Sequence, residues 1–251
     1  MPSVTNRIKE VKQPRGGYLP PKDFAVRQIA DGNIVDLSNE NIHSVLVGLA
    51  VDYLTRLILY RNPLQAFKIS IMGAALIGEE NQALKKATSI KELNSKAIIA
   101  ACQLAGYDVC FRAGPMWYKP VNGIVPNDLT VKNIKVMVNR SLAFFKEYGP
   151  VVKDGFTFEG GYTKTVNTGD GDFITANTLW DFKVSKDEPK SAHTLQLLMY
   201  YIMGQHSVNK DLHGITQLGI FNPRLNKIYI KPISEIPSEI IKQIEDDVIC
   251  Y

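Results

Sequence analysis

Cysteine is scarce in this 251-residue chain: Cys102, Cys110 and Cys250 form an odd, widely spread set. Such a set offers neither a disulfide framework nor CxxC metal spacing, and a reducing cytoplasm is the expected compartment. Long apolar runs are missing as well. The most apolar stretch, residues 45–60, is interrupted by Asp52 and Arg56 and falls short of the roughly 20 apolar residues of a membrane span. It reads as a buried helix, and no membrane partner is expected. The opening MPSVTNRIKEVKQPRGG lacks the apolar core and small-residue cleavage site of a secretory signal, so export is not expected. No G-x-x-x-x-G-K-[ST] loop encodes an ATP-driven motor, no G-x-S-x-G elbow offers a serine nucleophile, and no segment repeats at a fixed period.

What is present suits an ordinary globular protein. With 45% hydrophobic residues the chain can bury a full core, as one large domain or two small ones. A formal charge of +4 mildly favours a polyanionic partner, a balance shared with many unrelated enzymes.

Residues 1–37 read as an irregular arm, rich in Pro and Gly to about Phe24. Residues 38–150 read as mainly helical. Ser38 is a good N-cap for a helix ending at Tyr60, with Pro63 just beyond, and residues 64–105 suggest two or three more helices punctuated at Gly78 and near Ser89. Residues 106–125 mix Gly, Pro and aromatics as an irregular connection or short strand, and 128–148 is helical again. From Gly155 the period becomes two. Strands are expected near 156–158 and 163–167, then a hairpin of 172–174 with 179–185. A helix from Ser191 to Gly204, strands near 215–221 and 227–233, and a helix after Ser238 complete the order. Helices followed by strands with one helix among them argue for an α/β protein, a mixed sheet flanked by helices with a largely helical N-terminal half.

Chemistry concentrates in 169–200. In LWDFKVS, Trp180, Phe182 and Val184 share one strand face and Asp181, Lys183 and Ser185 the other. Asp172 lies nine positions before Asp181 on the partner strand (181 − 172), where a short hairpin brings the two alongside. Paired carboxylates repel unless a cation neutralises them, and Mg2+ prefers such hard oxygen ligands. Lys183 is placed to orient or deprotonate a water and to offset charge on a phosphate. Alone, a D-x-K triplet reads better as a surface ion pair of little worth.

The context is more specific. Gly169 with Asp172, then Asp181 with Lys183, then Gln196 with Tyr200 resembles the PD-(D/E)XK nuclease superfamily in its RecB-like branch, whose pattern is Gly-x-x-Asp, Asp-x-Lys and Gln-x-x-x-Tyr. The resemblance covers about 155–235. It implies a restriction-endonuclease-like core within 151–251 and a Mg2+- or Mn2+-dependent deoxyribonuclease. Asp172, Asp181 and the Phe182 carbonyl would ligate metal, Lys183 would assist water, and Gln196 and Tyr200, on one helical face, would position substrate. That branch often adds a ligand from an early helix. Gly48 and Asp52 offer one, with aspartate replacing the usual histidine, against a competing pairing of Asp52 with Arg56. Glu159 is a second candidate. Relatives with an iron–sulfur cluster use four cysteines, so no cluster is expected here.

Lys186, Lys190 and His193 follow the active strand and could contact phosphate, although a solvated loop explains the lysines equally well. Trp117 and Tyr118 beside Lys119 offer a stacking platform, against ordinary packing. Arg224 sits at a hairpin turn as a candidate phosphate clamp, against turn chemistry from Asn222 and Pro223. The expected partner is nucleic acid, DNA before RNA, with a protein partner or a second copy also open. The competing readings are a catalytically silent nuclease-like fold that binds nucleic acid or protein, and an interaction module working through its helical half.

Overall fold

A computed structural model describes residues 2–251. Its helices are α1 (Val4–Glu10), α2 (Ser44–Tyr60), α3 (Pro63–Ala66), α4 (Lys68–Ala75), α5 (Glu80–Ser89), α6 (Ser95–Ala105), α7 (Asp108–Arg112), α8 (Asp128–Tyr148), α9 (Ser191–Gln205) and α10 (Ser238–Gln243), with a π-helical tail over Ile244–Ile249. Its strands are β1 (Ala25–Arg27), β2 (Val151–Phe156), β3 (Gly171–Thr175), β4 (Thr178–Phe182), β5 (Gln217–Asn222) and β6 (Lys227–Pro232). Two compact units result. One comprises residues up to Ile29, Phe144–Lys183 and Asp187–Tyr251; the other comprises Ala30–Ala143 with Val184–Lys186.

The first unit is built on a six-stranded sheet of order β1-β6-β5-β4-β3-β2. Only β4 and β5 run parallel; the other neighbours are antiparallel, so the sheet is mixed and the chain belongs to the general α/β class. Strand alternation divides its apolar residues between two faces. On one face Trp180 is buried against the α8 aromatics Phe144 (4.8 Å between ring centroids) and Tyr148 (5.3 Å), and Phe144 stacks on Phe221 at 4.2 Å. Ile174, Leu179, Leu218 and Ile220 lie in one buried cluster with Leu195, Leu198, Met199 and Ile202 of α9. That helix therefore covers the other face.

Gly219 pairs with Trp180 across β4 and β5, and a Cβ there would lie 2.2 Å from the indole Cε3. The indole is pinned by its ring neighbours and by its Nε1 donating to Thr175 Oγ1 at 2.7 Å. Gly219→Ala is accordingly expected to cost the sheet unit about 1–3 kcal/mol through overpacking, read as a lower urea midpoint at unchanged m-value.

The second unit is helical, with α6 against α2 and α7 against α4. Its polar centre is Asp108, 2% exposed, which accepts hydrogen bonds from Tyr53 Oη, Ser70 Oγ (2.7 Å) and Arg112 Nε (3.4 Å).

Several elements differ from the sequence expectation. The opening segment is not wholly irregular: Ser3 caps α1 by accepting from the Asn6 amide at 3.1 Å, and 25–27 form an edge strand. The helix expected from Ser38 begins at Ser44, because Asn41 is committed to the 125–130 segment through Val125 O (2.9 Å) and the Asn127 amide (2.8 Å). Residues 108–112 are helical and contain no strand. The strand expected at 156–158 ends at Phe156, and 163–167 is a turn in which Thr163 Oγ1 accepts from the Thr165 and Val166 amides.

Candidate functional site

The β3–β4 hairpin places the carboxylates. Its register pairs Phe173 with Trp180, Ile174 with Leu179 and Thr175 with Thr178, so the next pair outward is Asp172 opposite Asp181. Alternation puts both on the α9 side, at the polar end of the row that begins with Ile174 and Leu179. Beyond Phe182 the chain stays extended, because the Lys183 amide still donates to Phe221 O at 2.9 Å. The lysine thus shares the side of Asp181, as the strand period predicts.

The side chains form a continuous polar array. Lys183 Nζ donates to Asp181 Oδ1 at 2.8 Å and to Gln196 Oε1 at 3.2 Å, and Gln196 Nε2 donates to Tyr200 Oη at 3.1 Å. Asp172 Oδ2 accepts from the Phe182 amide at 2.7 Å. In an extended strand the N–H and C=O of one residue point to the same neighbour, so the Phe182 carbonyl is directed to the side of Asp172. Asp181 is only 4% exposed, and its Oδ2 is buried with no hydrogen-bond partner. An unsatisfied carboxylate oxygen at such depth is costly unless something cationic or protic is meant to meet it.

The electrostatics follow from this packing. Burial works to lower the Lys183 pKa, but the charges of Asp181 and Asp172 and the hydrogen bond to Asp181 outweigh it, so the amine is held above the usual lysine range and is protonated. Burial, then the nearby charges of Asp181, Asp172 and Asp170, push the Tyr200 phenol well above its ordinary value against the opposing Gln196 hydrogen bond. The phenol therefore serves as a neutral hydrogen-bonding group, not as a phenolate.

Asp172, Asp181, Lys183, Gln196 and Tyr200 are thus brought together, with Phe182 contributing backbone. Asp52 lies on α2 in the helical unit, where Arg56 Nε donates to it at 2.9 Å, the pairing that competed with a ligand role. Glu159 is exposed, and its carbonyl accepts from the Val208 amide at 2.8 Å. Lys186 and Lys190 are exposed, Lys190 pairing with Asp187 at 3.2 Å. Arg224, expected at the surface of its turn, is 3% exposed, and Asn222 Oδ1 accepts from its amide at 3.0 Å, the turn chemistry that competed with a phosphate-clamp role. Tyr118 stacks on Tyr107 at 5.8 Å and bonds Glu79, while Trp117 is 64% exposed.

One contribution escapes sequence reasoning. The chain start braces the motif: the Val4 amide donates to Thr168 O at 3.0 Å and the Asn167 amide to Pro2 O at 2.9 Å. Gly169 then has Val4 Cγ2 at 2.9 Å and Tyr200 Cε1 at 3.2 Å from where a Cβ would stand, which gives the glycine of the motif a steric reason.

Among the described residues no three His, Cys, Asp or Glu side chains gather into a cation cage. The donor set is instead two carboxylates and a carbonyl, the incomplete kind Mg2+ accepts when water and substrate phosphate supply the remainder. No helix among the described residues is long and apolar enough to cross a membrane. No protein-family model matches the sequence, and neither curated proteins nor solved structures yield a match. Fold and site together define an α/β protein whose mixed sheet carries a buried carboxylate and lysine cluster at the polar end of one face.

Proposed function

We propose that this chain is a metal-dependent nuclease of the PD-(D/E)XK type, hydrolysing DNA phosphodiester bonds with Mg2+ or Mn2+. The observation that carries the reading is Asp181 Oδ2, buried and unpartnered beside a carboxylate held in register with it. A purely structural Asp181–Lys183 pair gains nothing from leaving that oxygen unsatisfied.

Asp181 Oδ2, the Asp172 carboxylate and the Phe182 carbonyl would hold the cation. When bound, it would polarise a phosphate oxygen and lower the pKa of its water. Lys183, whose Nζ donates to Asp181 Oδ1 at 2.8 Å, would orient or deprotonate the attacking water and offset negative charge growing on the phosphate. Gln196, bridging Lys183 and Tyr200, orients the ammonium, and Tyr200 offers a neutral hydroxyl to the substrate backbone. The preference for DNA, the restriction-endonuclease-like description of the sheet and any part for Asp52 come from the sequence resemblance.

The test is incubation of single-stranded DNA, duplex DNA and RNA with the protein in Mg2+, Mn2+ or EDTA, alongside Asp172→Ala. Cutting that needs metal and Asp172 is the expected result. No cutting of any substrate, with Mn2+ still held through Asp172 and Asp181, would favour the binding module over the enzyme.

A further inference from the structure

His193 stands one turn before Gln196 on α9, and spacings of three and seven residues set it on the same helical face as Gln196 and Tyr200. Its ring is half-buried. The Lys190 backbone amide donates to its Nδ1 at 3.2 Å. An amide can only donate, so Nδ1 must present its lone pair, and the proton of the neutral ring resides on Nε2. A second proton would break that bond. Burial and the Lys183 charge, against the opposing charge of Asp181, also hold the imidazole below its ordinary pKa. Near neutral pH the ring is uncharged, with its single N–H donor at Nε2, which no described residue engages.

A neutral donor on this face has a specific advantage. It can grip an anionic oxygen without adding positive charge that would repel a cation at the neighbouring carboxylates. We propose that His193 donates Nε2–H to a non-bridging phosphate oxygen of the DNA strand at the Asp172, Asp181 and Lys183 site, and so positions the phosphodiester; this rests on the nuclease reading. The competing role is a plain helix cap through Nδ1.

Two variants separate these roles. His193→Asn keeps an acceptor where Nδ1 stands but has no donor at the Nε2 position, whereas His193→Gln restores a donor at that reach and gives up the cap. KM and kcat for DNA cleavage would be measured for both, with the anisotropy of a labelled oligonucleotide in Ca2+ as a readout independent of cutting. The expected result is about tenfold weaker DNA binding and higher KM for His193→Asn, with kcat changed less, and recovery in His193→Gln. Wild-type affinity and KM in His193→Asn overturn the proposal. Should the wild type fail to cut, the nuclease reading falls by itself and the anisotropy series still decides His193; absence of DNA binding by the wild type overturns both.

Discussion

Asp181→Ala is expected to lose the proposed metal-dependent DNA cleavage by at least about 1000-fold while melting no lower than the wild type. The two halves of that expectation have one cause. Asp181 is nearly fully buried with Oδ2 unpartnered, so its presence carries a cost that Lys183 on Oδ1 offsets only in part and that a bound cation would offset further. Removing it leaves Lys183 bonded to Gln196, with a side chain exposed enough to reach water. Lys183→Ala should behave in the opposite way. It strands the Asp181 charge in a buried place, a loss of about 3–5 kcal/mol in EDTA, and Mn2+ should restore part of it by taking over the neutralisation. Thermal melts of both variants, with and without Mn2+, check this. A structural ion pair would instead lose stability on either substitution and ignore the metal.

Asp108→Ala is expected to unfold the helical unit or weaken it by about 3 kcal/mol or more. Its carboxylate ties α2, α4 and α7 through Tyr53, Ser70 and Arg112, and truncation leaves the Tyr53 and Ser70 hydroxyls without their acceptor. Burial, the largest influence, raises the Asp108 pKa above the usual carboxylate range, although the hydrogen bonds from Tyr53 and Ser70 and the Arg112 charge oppose it. The sign follows. A carboxyl with a raised folded pKa contributes most below its unfolded pKa, and that contribution is lost as pH rises from there through the folded value. Asp108→Asn keeps an acceptor and cannot titrate, so it should be milder than alanine and remove this fall. Denaturant midpoints of the three proteins across acidic to neutral pH read it directly.

Much of this architecture is legible in the sequence wherever a period is carried by several residues. The alternation in LWDFKVS gives the right faces for Trp180, Asp181 and Lys183, and the Gln196 and Tyr200 spacing gives one helical face. What escapes has a common physical origin in long-range contacts. Ser38 is a sound local cap, but tertiary hydrogen bonds from Asn41 move the helix start to Ser44. Arg224 looks like a surface residue because turn residues usually are, yet it is 3% exposed in the fold. The chain start, rich in turn-forming residues, gains its bracing of Thr168 from pairing with a segment over 160 residues later.

The central claim is that Asp172 and Asp181 hold a divalent cation, and the most direct measurement is Mn2+ titration followed by the paramagnetic resonance of the free ion, for wild type, Asp172→Ala and Asp181→Ala. The account predicts Mn2+ uptake by the wild type that each substitution abolishes. Equal uptake by Asp181→Ala, or none by the wild type with or without DNA, contradicts it.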